Sequence, residues 1–291
     1  MERILITGAT GLLGSSLVPH LKKCGHKVVT HARTTQADFM FDLSDRVKSY
    51  EMLAQIMPSV IINLVSLTNV ELCEEQVNLA YLANTSTVES LAYWIGYSGA
   101  DCHLVQISTD HVYDGTGLHT EDSIALTNNY AFSKYAGELA AVRVPSTILR
   151  TNFVGRSQVS HRESLTDWVY NSLRSAKNLQ VLSDVYFSPL SITTLSEMIE
   201  LVVQRRPVGI YNLGSRNGMS KADFDFAFAE CLNLETNTMT RIKTCQATFW
   251  KAYRPKDMRM DSSKFENVLG VTLPYLNDLI PQLAREYNEN A

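Results

Sequence analysis

The stretch "NNYAFSKYAGE" at residues 128–138 places a phenol, Tyr130, four positions before an amine, Lys134. In a helix, residues i and i+4 lie on the same face, so the two groups would lie side by side. A phenol has an unperturbed pKa of about 10, and a neighbouring ammonium stabilises its phenolate. In a chain with 13 tyrosines, about 0.5 such pairs are expected by chance. The elements around the pair therefore decide between a catalytic couple and an ordinary helix-surface pair.

A glycine-rich stretch, "ILITGATGLLGSSL", joins the first apolar run to the first predicted helix. Glycine there permits a tight turn, close approach of a pyrophosphate and close helix–strand packing, while helix N–H groups face the anion. This context predicts a dinucleotide-binding loop, and the alternative is a glycine turn with a structural role only. The loop residues predicted to contact the cofactor are Gly8, Thr10, Gly11, Leu12, Leu13 and Gly14.

The spacing G-x-x-G-x-x-G, together with Tyr130 and Lys134, resembles the extended short-chain dehydrogenase/reductase family. In that family the segment corresponding to "VQISTDHVYDG" supplies the hydroxyl that holds the substrate carbonyl, here Thr109, 21 residues before Tyr130. The resemblance implies Thr109 as carbonyl orienter and Tyr130 as acid/base. It implies Lys134 as the residue that lowers the pKa of the phenol and holds the nicotinamide ribose.

The second predicted strand ends in "VVTHARTT", without the acid that binds an unphosphorylated ribose. Arg33 stands there instead, and a guanidinium suits a 2′-phosphate, so NADP (as NADPH) is favoured and NAD stays open. The alternative is that Arg33 is a solvated loop residue, and for Asp42 it is a helix N-cap. The other cofactor positions implied by the resemblance are Asp42, Leu43, Asn63, Leu64, Val65, Ser66, Thr68 and Ser108.

Three segments narrow the resemblance to the dTDP-4-dehydrorhamnose reductase branch: "STDHVYDG", "ILRTNFVG" and "RPKDMRMDSSKF". That branch reduces the 4-keto group of a nucleotide-linked 6-deoxy sugar. The segment "DVYFSP" at 184–189, His111 and Phe153 depart from its pattern, so the sugar or nucleotide can differ. Arg254 could pair with a substrate phosphate or belong to a structural network. The implied substrate-contacting residues are Thr109, Asp110, His111, Asn152, Phe153, Tyr186 and Arg254.

The sequence is also compatible with three other functions. One is a reductase acting on another UDP-, GDP- or CDP-linked ketosugar, and another is an epimerase with tightly held cofactor. A third, of a different class, is an NADP-binding regulatory subunit resembling the β subunit of methionine adenosyltransferase.

The elements that must position these residues follow an alternating pattern of short β-branched runs and longer helical segments. This pattern predicts an α/β fold, a Rossmann-type doubly wound parallel sheet with a smaller C-terminal α/β lobe that binds substrate. The cofactor domain is predicted at 1–150, with returns near 187–213, and the lobe at 151–186 and 214–291. Strands are expected at 3–7, 27–31, 59–65, 102–108 and 146–150, and helices at 12–24, 45–57, 71–98 and 130–143.

Composition excludes several classes of partner. A net charge of −4 and a pI near 6.0 argue against nucleic acid or an anionic membrane. Apolar runs fall far short of the roughly 20 residues of a membrane helix, and no signal-peptide pattern is present. Five cysteines without a C-x-x-C pair indicate reduced thiols in the cytoplasm and no metal site. The family resemblance also implies a homodimer through 71–98 and 130–143.

Overall fold

Six strands from the first 151 residues, together with β11 from the second half of the chain, form one parallel seven-stranded sheet in the order β3-β2-β1-β4-β5-β6-β11. The structure, a computed structural model, describes residues 2–34, 36–160, 162–247 and 250–288. The strands are β1 (Arg3–Thr7), β2 (Lys27–Ala32), β3 (Phe39–Met40), β4 (Val60–Asn63), β5 (His103–Thr109), β6 (Ser146–Thr151), β7 (Phe153–Val154), β8 (Leu179–Leu182), β9 (Tyr186–Phe187), β10 (Leu190–Ser191), β11 (Gly209–Leu213), β12 (Met219–Ser220) and β13 (Met239–Ile242).

Helices connect these strands, as the alternating pattern predicts. They are α1 (Gly14–Lys23), α2 (Arg46–Ile56), α3 (Val70–Glu75), α4 (Val77–Tyr81), α5 (Thr87–Ser98), α6 (Asn129–Ala141), α7 (Leu165–Arg174), α8 (Ile192–Arg205), α9 (Lys221–Cys231), α10 (Ser263–Leu269) and α11 (Leu276–Asn288). The strand order is that of a doubly wound dinucleotide-binding sheet, with β1 and β4 at the point where the order reverses. The predicted fold class is therefore confirmed.

The chain divides into two compact units. Unit 1 comprises Met1–Thr109, Asn128–Arg150 and Ser196–Tyr211, and unit 2 comprises Asp110–Thr127, Thr151–Leu195 and Asn212–Ala291. The segment 110–127, which the sequence places in the cofactor domain, thus belongs to unit 2. Unit 2 contains three short strand pairs: β7 with β10, β8 with β13, and β9 with β12.

The core of unit 1 explains why its strands are continuous apolar runs. Every residue of β4 and β5 is buried. Leu5, Ile61, Leu104 and Ile148, one from each central strand, pack in one cluster with residues of α2 and α5. Helices on both faces remove the strands from water, so both sets of alternating side chains must be apolar or hydrogen-bonded.

The single helix predicted at 71–98 is wrong in one respect, because the structure breaks it. Gln76 has non-helical dihedral angles, φ −131° and ψ 68°, and separates α3 from α4. A π-helical segment, Leu82–Ser86, then separates α4 from α5. A π segment is a single wider turn inside an otherwise helical stretch, so a helix prediction from the sequence does not distinguish it.

Within the described ranges, no helix combines the length and apolar character needed to cross a bilayer. The same part of the chain contains no group of three or more His, Cys, Asp and Glu side chains placed to hold a metal ion.

Candidate active site

Helix α6 begins at a well-defined position in unit 1. Asn128 has extended dihedral angles, and its side chain accepts a hydrogen bond from Ala131 N at 2.8 Å, which makes it the N-cap. The carboxylate of Glu74 on α3 accepts from Asn129 N at 2.9 Å and from its side-chain amide at 2.5 Å. These bonds fix the first turn of α6, which carries Tyr130.

The two residues of the Tyr-x-x-x-Lys motif are both buried on α6. Tyr130 is 7% exposed and packs with Cys73 and Ala80, from α3 and α4. Lys134 is 4% exposed, and its Nζ donates to the carbonyl oxygen of Ile107 at 2.7 Å. Since Ile107 lies two residues before the end of β5, the structure brings Lys134 to the strand end that carries the buried Thr109.

Burial changes the proton affinity of Lys134. Loss of hydration lowers the pKa of its amine to about 8, and the carboxylate of Glu138, one helical turn further on, opposes this change. The amine therefore titrates closer to neutral pH than a solvated lysine does.

A buried ion pair that the sequence interpretation missed lies beside this site. Arg150 at the end of β6 and Glu138 on α6 are 1% and 0% exposed in their side chains, with Arg150 Nη2 2.6 Å from Glu138 Oε2. Arg150 Nε also donates to both carboxylate oxygens, at 3.0 and 3.1 Å. The hydroxyl of Ser108, a predicted cofactor residue, donates to Glu138 Oε1. The sequence feature that could have indicated this pair is an acid, Glu138, in a helix of small residues, four positions after Lys134.

Asn84, in the π-helical segment, ties the loop after β4 to α6. Its Oδ1 accepts from Ser66 Oγ at 3.0 Å and from Leu67 N at 2.8 Å. Its Nδ2 donates to Leu67 O at 3.1 Å and to Ser133 Oγ at 3.0 Å. A Cβ atom at Gly137 of α6 would overlap the carbonyl oxygen of Asn84, so the two helical segments are in backbone contact.

The loop after β4 contains four predicted cofactor residues beyond Asn63. Asn63 itself is fully buried, accepts from Thr7 Oγ1 at 2.6 Å and donates to Gln106 Oε1 at 2.8 Å. It therefore joins the ends of β1, β4 and β5. Leu64, Val65 and Ser66 are half-buried and Thr68 is exposed.

The glycine loop meets the requirements for a pyrophosphate. Gly8 has φ +70°, and a Cβ there would lie 3.0 Å from Val65 N; a Cβ at Gly14 would overlap the carbonyl of Ala9. Helix α1 begins with neither a side-chain cap nor an acid in its first turn, so no side-chain anion competes there. Of the other predicted loop residues, Thr10, Gly11 and Leu12 are half-buried and Leu13 is buried.

The predicted adenosine side of the cofactor site lies after β2. Arg33 is exposed directly after that strand, and Asp42 is exposed while Leu43 is buried. The backbone N–H and hydroxyl of Ser44 donate to Asp42 and lower the pKa of its carboxyl, with a smaller contribution from Arg33. The N-cap of α2 is Asp45, which excludes that alternative for Asp42.

Unit 2 brings together several of the predicted substrate residues. Asp110 is 1% exposed, and its Oδ2 accepts from the side-chain amide of Asn152 at 2.7 Å. Burial, together with the positive charges of Lys221 and Arg254, lowers the pKa of His111 to about 3. His111 is therefore neutral at physiological pH.

Two further residues of unit 2, Lys221 and Asp225, were missed from the sequence. Asp225 is 1% exposed, and burial raises its pKa to about 8 although Lys221 opposes the shift. Burial lowers the pKa of Lys221, and the carboxyls of Asp110 and Asp225 oppose that shift. The sequence feature that could have indicated them is the Lys–Asp pair at i and i+4 in "KADFDFA". Their shifted pKa values arise from burial, which the sequence does not show.

The remaining predicted substrate residues lie in different parts of unit 2. Phe153 is half-buried in β7, which pairs with β10. Tyr186 is 36% exposed, and the guanidinium of Arg259 lies 5.0 Å from its ring centroid. The guanidinium of Arg254 lies 5.0 Å from the ring of Trp250, a cation–π contact that supports the structural interpretation of this arginine.

Comparison with known proteins bears on this geometry. The RmlD substrate binding domain family matches residues 1–289. The chain is 30% identical over 290 residues to dTDP-4-dehydrorhamnose reductase of Aggregatibacter actinomycetemcomitans, covering 93% of this chain and 94% of the relative. It is 28% identical over 291 residues to methionine adenosyltransferase 2 subunit beta of Xenopus laevis, covering 94% and 85%.

A solved structure of dTDP-4-dehydrorhamnose reductase from Bacillus anthracis, in complex with NADP, has the same fold. It superposes with a TM-score of 0.88 at 24% identity and covers 98% of this chain and 99% of that one. The glycine loop, the seven-stranded sheet and the buried Tyr-x-x-x-Lys helix agree with the whole-length family match. The chain belongs to the RmlD substrate-binding-domain family, the dTDP-4-dehydrorhamnose reductase branch of the extended short-chain dehydrogenases/reductases.

Proposed function

We propose that the protein is an NADPH-dependent reductase of the 4-keto group of a nucleotide-linked 6-deoxyhexulose. The observation that carries the proposal is the placement of Lys134, whose buried amine is bonded to β5 beside Thr109, one helical turn from the buried Tyr130. A buried phenol and amine at the carboxyl end of a parallel strand are suited to proton transfer to a reacting oxygen.

Each residue has a separate task in this reaction. NADPH, when bound, supplies the hydride for the carbonyl carbon. Thr109 donates a hydrogen bond to the carbonyl oxygen, where negative charge develops. Tyr130 then gives its phenolic proton to that oxygen, and the protonated form of Lys134 stabilises the phenolate that remains.

The cofactor is held by residues of unit 1. The pyrophosphate can approach the backbone at Gly8 and Gly11, because glycine has no side chain. It can also accept hydrogen bonds from the start of α1, which has no side-chain cap. Arg33 suits the 2′-phosphate, because a guanidinium can bind two phosphate oxygens at once. NADPH is therefore the proposed cofactor.

The substrate side is proposed from unit 2. Asp110 and Asn152 form a hydrogen-bonded pair, and His111 is neutral, so these residues offer donors and acceptors to sugar hydroxyls. The similarity to the reductase of Aggregatibacter actinomycetemcomitans favours a dTDP-linked sugar.

A direct test measures NADPH oxidation by the purified protein against 4-keto-6-deoxy sugars linked to dTDP, UDP, GDP and CDP. The proposal expects one NADPH consumed per sugar reduced, with the dTDP sugar preferred. Sugar isomerisation without net NADPH consumption would indicate an epimerase, and no reaction with any of the four would contradict the proposal.

A second candidate function is an NADP-binding regulatory subunit, which the similarity to the methionine adenosyltransferase β subunit favours. NADPH binding without ketosugar turnover, together with co-purification of a methionine adenosyltransferase, would support it. Turnover of a ketosugar at an ordinary enzymatic rate would favour the reductase.

A further inference from the structure

Glu138 occupies a position that the proposed reaction does not by itself require. It follows Tyr130 and Lys134 at successive i+4 intervals on α6, so the three side chains lie along one helix face. Its side chain is fully buried. A carboxylate in such a place is costly unless its oxygens are bonded, so its presence calls for an explanation.

Three donors hold the carboxylate of Glu138 in place. Arg150 Nε and Nη2 approach it in a two-pronged geometry at 2.6 to 3.1 Å, and Ser108 Oγ donates to Oε1. A two-pronged Arg–carboxylate contact fixes orientation as well as charge. Arg150 and Ser108 lie on β6 and β5, so Glu138 is fixed relative to the sheet that carries Thr109.

Lys134 is surrounded by few other charges in unit 1. Besides Lys134 itself, the charged or titratable groups on α6 and on the elements packed against it are Tyr130, Tyr135 and Glu138 on α6, His103 on β5, Arg150 on β6, Glu71, Cys73, Glu74 and Glu75 on α3, Tyr81 on α4, and Glu89, Tyr93 and Tyr97 on α5. The carboxylate of Glu74 accepts hydrogen bonds from Asn129, and Glu89 Oε2 lies 3.6 Å from Arg46 Nη2. Glu138 is the carboxylate whose charge acts on Lys134 against the effect of burial.

We propose that Glu138, held by Arg150 and Ser108, is a positioning residue that keeps the buried Lys134 protonated next to the end of β5. Its catalytic consequence rests on the proposed function, because a neutral Lys134 would no longer stabilise the phenolate of Tyr130. Its effect on Lys134 itself does not depend on any substrate.

The test follows the protonation of Lys134 by NMR of the lysine Cε atoms in isotope-labelled protein without cofactor. The signal is assigned by its loss in Lys134→Met. The expected midpoint in the wild type is about 8, and Glu138→Gln should lower it by about 1 pH unit or more. Glu138→Asp keeps the charge and should restore a midpoint close to that of the wild type.

Two further measurements keep the test decisive. If Glu138→Gln does not fold, because it leaves Arg150 buried without its counter-charge, the double variant Glu138→Gln/Arg150→Met removes both charges. Its midpoint should also lie below that of the wild type. In the reductase assay, the alkaline limb of kcat/KM should move to lower pH in parallel with the NMR midpoint.

An unchanged Lys134 midpoint in a folded Glu138→Gln or double variant would overturn the inference and leave Glu138 as a structural ion-pair partner. Absence of ketosugar reduction by the wild type would instead contradict the proposed function, and the NMR result would stand on its own. The two failures are therefore distinguishable.

Discussion

The two units treat buried charge in different ways. In unit 1, Glu138 and Arg150 are fully buried as an ion pair with short, two-pronged hydrogen bonds. In unit 2, burial raises the pKa of Asp225 to about 8 and lowers that of Lys221. The Glu138–Arg150 pair of unit 1 thus keeps its buried charges by pairing them, whereas burial shifts Asp225 and Lys221 of unit 2 toward their neutral forms.

This difference suits two different tasks. In the proposed reaction, proton transfer at Tyr130 needs a charged Lys134 in a fixed place, and the proposal assigns this positioning to Glu138, held by Arg150. The proposed recognition of a sugar needs neutral donors and acceptors, and the neutral His111 is such a group. The comparison predicts that Gly137→Ala in unit 1 acts through close packing, whereas Asp225→Asn in unit 2 acts through the pH dependence of stability.

The largest expected effect tests the close packing in unit 1. Gly137→Ala places a Cβ against the carbonyl oxygen of Asn84, so it should lower the free energy of unfolding by about 3 kcal/mol. Gly96→Ala is the matched control, since that helical glycine has only Val144 Cγ1, at 3.9 Å, near the added Cβ. It should be neutral or stabilising by up to about 1 kcal/mol. Equal denaturant midpoints for the two variants would contradict the close approach of the two helical segments.

The next effect concerns Asp225 of unit 2, whose burial should make the free energy of unfolding depend on pH. Asp225 has a folded pKa raised above its unfolded value, so the folded state holds the extra proton and stability falls as pH rises from about 4 to 8. Between pH 6 and 8 the wild type should lose about 2 kcal/mol more than Asp225→Asn does.

Denaturant unfolding at the two pH values measures this difference. Asp223→Asn is the control, because Asp223 is exposed on the same helix and hydrogen bonding lowers its pKa. The free energy of unfolding of Asp223→Asn should depend on pH between 6 and 8 in the same way as that of the wild type. If the free energy of unfolding of Asp225→Asn changed with pH as much as that of the wild type, the raised pKa of Asp225 in the folded state would be contradicted.

The smallest effect concerns Arg33 of unit 1, an exposed arginine proposed to bind the 2′-phosphate of NADPH. Arg33→Ala should weaken NADPH binding about tenfold and leave NADH binding nearly unchanged, because only NADPH carries the 2′-phosphate. Arg46→Ala, an exposed arginine of α2, is the control for general charge. Equal losses for both nucleotides, measured by calorimetry, would show that Arg33 does not discriminate between them.

The parts that the sequence predicted are those governed by local pattern. Alternating apolar runs predicted the parallel sheet, and strand–glycine–helix order predicted the loop at Gly8 because both depend on neighbouring residues. The role of Tyr130 stays a prediction, although its burial on α6 agrees with the motif.

The parts that were missed depend on contacts between distant residues or on burial. The Glu138–Arg150 pair forms only when β6 lies beside α6, and the π-helical conformation of the segment 82–86 is not revealed by periodicity. Lys221 and Asp225 resemble a surface pair in the sequence, and burial alone makes their pKa values unusual.

The central claim is that Tyr130 delivers the proton, and one pair of variants tests it most directly. Tyr130→Phe removes the hydroxyl and keeps the ring, while Tyr135→Phe makes the same change five residues further along α6. The measurement is kcat for NADPH-dependent ketosugar reduction, with NADPH binding checked for each variant. The account predicts at least about a hundredfold loss for Tyr130→Phe and little change for Tyr135→Phe. Near-normal turnover in Tyr130→Phe would contradict it.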